Sequence, residues 1–153
     1  MRPWHGESLR RPDEPILWID NSLSPIVAKA LKDVGYNAVV QDDFPEFHVL
    51  PRVLDDEHII PWCAEHDAIW VHADDNARTE HAKKIVAGNV RTIWVYLPPG
   101  FKASSREQLR LLAFSLPDIL EDLCSDDPKW RHYEIRPKGR AVRCSGFILA
   151  LAT

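Results

Sequence analysis

Short apolar blocks that stop on an acid recur along this chain, and they constrain its fold more than any other feature. Residues 16–19 (ILWI) end on Asp20, residues 37–40 run into Asp42 and Asp43, and residues 68–72 run into Asp74 and Asp75. β-Branched and aromatic residues in blocks of four or five favour buried strands. Between the blocks lie segments with helical spacing. Ser24-Pro25 is a helix start, with Ser24 as N-cap and Pro25 in the first turn. Ile26, Val27, Ala30, Leu31 and Val34 then repeat at helical spacing, and Gly35 supplies the stop. A second helix opens at Asp55 or Asp56 with an apolar face of Ile59, Ile60, Cys63 and Ala64, and Pro61 is expected to kink it or delay its start. Residues 79–87 read as a third helix closed by Gly88, and residues 91–97 as a strand. Ser104 and Glu107 form a capping box ahead of a long amphipathic helix through Leu109, Leu112, Ala113 and Leu116. Pro117 is expected to break or kink that helix. Strands alternating with helices imply an α/β fold of right-handed βαβ units: a central parallel sheet of at least four strands, residues 16–19 central, with helices on both faces.

With 153 residues the chain is large enough for one domain with a real core. The expected organisation is a loose arm over residues 1–14, a domain over 15–128, and a basic C-terminal tail over 129–153 that reads as a hairpin turning at residues 137–140. No apolar run approaches the roughly 18 residues of a membrane span, and the N-terminus lacks the apolar region of a signal peptide. Membrane partners are therefore not expected. The cysteines, Cys63, Cys124 and Cys144, are odd in number and far apart, which suits a reducing cytoplasm rather than a disulfide framework or a CxxC zinc site. Cys63 and Cys124 fall within apolar helical patterns and read as structural.

A formal net charge of -4 conceals an asymmetry. Residues 129–143 carry Lys129, Arg131, Arg136, Lys138, Arg140 and Arg143 against Glu134 alone. An acidic body with a basic tail suits a cation at one place and phosphates at another.

Sites on parallel sheets form beyond the carboxyl ends of the strands. An acid after one strand is usually a turn residue. Acids after three neighbouring strands would converge, and like charges held together call for a cation. Oxygen ligands select hard ions, Mg²⁺ or Mn²⁺. Asp56, at the start of the second helix, adds a fourth carboxylate or serves as an N-cap. Such a cluster suits phosphodiester hydrolysis. The sequence has no P-loop, no GxGxxG, no GxSxG and no HExxH. His72, two residues before Asp74, is a candidate ligand or phosphate contact, with a local structural role as the simpler reading.

Asp20-Asn21-x-Leu23-Ser24-Pro25, followed by an Ala-x-Ala-Leu helix ending at Gly35, resembles the opening of the compact PIN-like domains of VapC-type toxins. The similarity continues through Asp42-Asp43-Phe44-Pro45, Asp56 with Ile60-Pro61, the strand ending in Asp74, and Phe114-x-Leu116-Pro117-Asp118, covering roughly residues 16–123. The resemblance implies a Rossmann-like PIN fold and a Mg²⁺- or Mn²⁺-dependent endoribonuclease, the toxin of a type II toxin–antitoxin pair. Its partners would be RNA and a cognate antitoxin protein, with a homodimer as one permitted assembly. Carried onto this chain, Asp20, Asp56 and Asp74 become the catalytic, metal-binding acids, with Asp75 as a further ligand. Where the family usually has a threonine and then often a basic residue before the third aspartate, this chain has His72 and Ala73. Arg78, Arg136, Lys138 and Arg140 are the candidate phosphate contacts. Two other readings stand beside it: a PIN-like binding module without catalysis, and a metal-dependent DNA nuclease or phosphatase on the same fold.

Overall fold

A computed structural model of the chain describes residues 14–44, 56–74, 80–97, 104–126, 131–136 and 143–144, with Asp56, Arg143 and Cys144 entering through their backbone. One sheet holds β1 (Leu17–Ile19), β2 (Ala38–Val39), β3 (Ile69–His72), β4 (Arg91–Val95), β5 (His132–Ile135) and β6 (Arg143–Cys144). The described helices are α1 (Pro25–Asp33), α2 (Asp56–Glu65), α3 (Ala82–Ala87) and α4 (Ser105–Leu123), with a 3-10 turn at Gln41–Asp43. The spatial order is β2-β1-β3-β4-β5-β6. The first five strands run parallel and β6 pairs antiparallel with β5. The expected α/β architecture, with a parallel core of at least four strands and β1 in its interior, is what the chain forms.

Strand pleating sorts the core into two layers. Leu17, Ile19, Ile69, Val71, Ile93, Val95, Tyr133 and Ile135 face one side, where α1 contributes Val27, Ala28 and Leu31 and α4 contributes Leu111, Leu112, Leu116, Ile119, Leu120 and Leu123. Trp18 and Trp70 face the other, against Ile59, Ile60 and Cys63 of α2 and Ala82 and Ile85 of α3. β1, β3 and β4 are buried along their whole length. This is why their sequences read as continuous apolar blocks rather than alternating ones.

One crossover departs from expectation. From β1 to β2 the sheet steps one way with α1 on the first face; from β4 to β5 it steps the other way with α4 on that same face. Parallel crossovers that step oppositely on one face have opposite hands. The crossovers through α2 and α3 step the second way on the second face and share the hand of the α1 unit. The hand is therefore not uniform, β4–α4–β5 being opposite to the other crossovers. Its helix is drawn to α1, where Gln108 Oε1 accepts from Ser24 N at 2.8 Å and the hydroxyls of Ser24 and Ser105 meet at 2.6 Å.

Neither internal proline interrupts its helix: α2 runs through Pro61 and α4 through Pro117. The expected break at Pro117 is overridden by burial of Leu116, Ile119, Leu120 and Leu123 on both sides of it. Within the C-terminal segment, β5 and β6 belong to the same sheet. β5 is a buried strand paired along β4, and Tyr133 donates its hydroxyl hydrogen to the Asp122 carboxylate of α4. Among the described residues no helix is long and apolar enough to cross a membrane. The arm at residues 1–13 lies outside the described residues.

Candidate functional site

In the order β2-β1-β3-β4-β5 the chain leaves β1 toward one edge and builds toward the other from β3. The C-terminal ends of β1 and β3 thus flank the topological switch point, the place where ligands commonly bind on parallel sheets. Asp20 follows β1 directly, and Asp74 lies two residues beyond β3. α2 returns from the end of β2 and so begins at this same edge, which puts the backbone of Asp56 there as well.

Asp20 is held from three directions. Its N–H donates to Val71 O of β3 at 2.8 Å, and its carbonyl accepts from Leu23 N at 3.1 Å, closing the turn. Its carboxylate Oδ2 accepts from Ser22 N at 3.1 Å and from Ser22 Oγ at 2.6 Å. Ser22 Oγ in turn accepts from Ala73 N at 2.9 Å, linking the β1 exit to the residue before Asp74. The carboxylate is nearly buried, with Asp20 only 6% exposed. Its charge reaches Cys63 of α2, whose thiol is pushed up to about 12 by burial first and by Asp20 second. Cys63 is consequently a neutral, unreactive thiol, as its apolar pattern suggested.

The surroundings make this edge rigid. Leu23 plugs into the first core layer, and Ser24 is tied to α4 through Gln108 and Ser105. Ser24 occupies the N-cap position of α1, yet its side chain serves α4 rather than its own helix. On the other face Trp18 stacks on Phe44 at 5.7 Å and meets Trp62 of α2 at 4.8 Å. This aromatic cluster fixes α2 and the segment after β2 against β1.

The remaining expected residues divide clearly. Asp43 is spent locally: its Oδ2 accepts from Lys32 Nζ at 2.6 Å and from Val40 N at 2.8 Å. His72 is fully buried on the α2–α3 face with its ring 4.5 Å from that of Trp70, the position of a packed strand residue. Arg136 is exposed at the end of β5, paired with Glu134 at 2.8 Å and 5.3 Å above the Tyr96 ring. Asp75, Arg78, Lys138 and Arg140 lie outside the described residues, as does the side chain of Asp56. Among the described residues no three His, Cys, Asp or Glu side chains gather as a metal-holding group. The described pair at the switch point is Asp20 and Asp74.

Two contributors escape a reading of the sequence alone. Ser22 sits two residues past an acid, a spacing that signals only a local turn. Gln108 reads as one more polar position on an amphipathic helix, although it is buried against the β1–α1 loop. Away from the site, His132 Nδ1 lies 2.9 Å from Thr92 Oγ1, and burial first, then Arg131, pushes its pKa down to about 4. Comparison of the chain with protein-family models, with curated proteins and with solved structures finds no match.

Proposed function

We propose that this chain is a Mg²⁺- or Mn²⁺-dependent ribonuclease of the PIN-like class, hydrolysing phosphodiester bonds at the β1/β3 switch point. The observation that carries the reading is the link from Asp20 through Ser22 to the residue before Asp74, at the edge of the sheet where ligands bind. Carboxylate oxygens such as those of Asp20 are hard donors suited to such an ion, and among the described contacts Ser22 engages only Oδ2.

Asp20 and Asp74, with Asp56 from the start of α2, would hold the cation. A bound Mg²⁺ or Mn²⁺ would supply charge neutralisation at the phosphoryl oxygens and activation of water. The chain's own residues do the rest. Ser22 holds the Asp20 carboxylate in place, and the aromatic packing of Trp18, Phe44 and Trp62 keeps α2 in register. Arg136 offers a guanidinium to a phosphate along the same edge, preset by Glu134 and Tyr96. RNA as substrate, a toxin role and a cognate antitoxin rest on the family resemblance alone. A cytoplasmic location rests on the odd number and wide spacing of the cysteines alone.

The test is cleavage of single-stranded RNA by the purified protein with Mg²⁺ or Mn²⁺. Asp20→Asn and Asp74→Asn should each lower the rate at least about 100-fold, while Asp43→Asn, in its local ion pair, leaves it nearly unchanged. Equal activity in all four proteins, or none in the wild type with either ion, would overturn the reading. Cleavage of DNA but not RNA would favour the DNA nuclease alternative.

A further inference from the structure

α4 buries one side against the sheet and turns the other to solvent. Along the solvent side run Arg106, Arg110, Ala113, Phe114, Asp118 and Glu121, all exposed. Steps of three and four residues keep them on one stripe of the helix. Phe114 is 65% exposed, one of three large apolar side chains open to solvent among the described residues. A single exposed apolar residue is ordinary on a protein surface. Its charged flanks are not. Two cations precede the apolar pair Ala113–Phe114 and two acids follow it. That order opposes the helix macrodipole, which favours acids in the first turn and cations in the last, and the last turn of α4 has no basic residue. The stripe therefore does not serve the stability of its own helix.

We propose that the outer face of α4 takes a second copy of this chain, the two α4 helices packing antiparallel about a two-fold axis between Ala113 and Phe114. From that midpoint Arg106 lies about 11 Å toward one end of the helix and Glu121 about 11 Å toward the other, at about 1.5 Å per residue. A two-fold axis there sets Arg106 of each copy opposite Glu121 of the other, and Phe114 opposite Ala113, a large side chain against a small one. Arg110, held by Glu107 at 2.6 Å, falls within one residue of Asp118 across the axis and adds to the same attraction. Parallel packing would instead stack cation on cation and acid on acid. The charge order thus selects the antiparallel, self-complementary arrangement of a closed dimer. A stable interface needs roughly 800 Å² from each partner, more than one helix stripe supplies. α1 covers the same face of the sheet as α4, and its exposed Ile26, with Val34 at its end, adds apolar area. The proposal is independent of the metal-dependent reading, which concerns the strand ends and not the helical layer.

The experiment is sedimentation velocity of the full chain at protein concentrations up to about 100 µM. The wild type should be dimeric at the upper end and form nothing larger, because a two-fold interface closes on itself. Phe114→Glu should raise the dissociation constant at least about 100-fold. Arg106→Glu and Glu121→Arg should each weaken association about 10-fold by setting like charges opposite one another, and each change acts twice in the dimer. The double variant carrying both changes should return to within about threefold of wild type, since the swapped charges again face their opposites. All three positions are exposed, so circular dichroism of each variant should match the wild type. A wild type still monomeric at about 100 µM would overturn the proposal, including the case in which this face receives a different protein. Dimerisation undiminished in Phe114→Glu, or a double variant no tighter than the single ones, would overturn it as well.

Discussion

His132 shows how a single residue on this sheet ties stability to pH. It is buried beside Thr92, and its pKa is lowered from 6.5 to about 4 by burial and by Arg131. The unfolded chain therefore binds a proton that the folded chain refuses between those values. Stability is fully present above pH 6.5, declines as pH falls through that value, and the loss is complete below about pH 4. At pH 5 the deficit relative to pH 7 is about 2 kcal/mol from this group. Urea unfolding at the two pH values should show it, and His132→Gln should remove most of it. An undiminished pH dependence in that variant would assign the effect to other groups. At the same scale, Asp20 was legible as a candidate site residue because strand ends are where parallel sheets place their chemistry. Ser22 was not, because its partner at Ala73 comes into reach only when β1 and β3 are known to be neighbours.

Among the elements, α4 departs furthest from its sequence signals. A proline in a helix interior removes one hydrogen bond and crowds the preceding turn, yet α4 continues through Pro117 because its apolar stripe is buried on both sides of it. Pro117→Ala restores the N–H to the Ala113 carbonyl and should raise stability by about 1–3 kcal/mol, read from urea unfolding. A decrease would mean that Pro117 itself packs in the native helix. Ser104 does cap α4, its Oγ accepting from Glu107 N at 3.2 Å, but Glu107 turns to Arg110 instead of completing the box. β1, β3 and β4 were legible because both their faces are buried and their composition says so. β5 is masked in the sequence by the run of Lys and Arg around it, and the sheet buries even its polar His132 and Glu134. The minority hand of β4–α4–β5 has no local signature, since handedness follows from which face a helix finds to cover.

At the scale of the whole molecule, stability and proposed chemistry lie at opposite edges of the sheet. At the edge where β4 begins, the largely buried Arg91 donates to Leu123 O at the end of α4 at 3.3 Å and to Asp67 O at 2.7 Å. Arg91→Ala removes the cation at the helix C-terminus and leaves two carbonyls without this donor. It should cost roughly 2–4 kcal/mol of stability while Mn²⁺ affinity stays within about twofold of wild type. A large change in affinity would show the two edges to be coupled. The central claim, that Asp20 ends β1 in order to hold a divalent cation with Asp74, is tested most directly by thermal unfolding with and without 1 mM Mn²⁺ in wild type and Asp20→Asn. For a Kd on the order of 100 µM the wild type should gain about 3–6 °C and Asp20→Asn almost nothing, with both proteins folded in the absence of metal. No gain in the wild type, or an equal gain in both proteins, would contradict it.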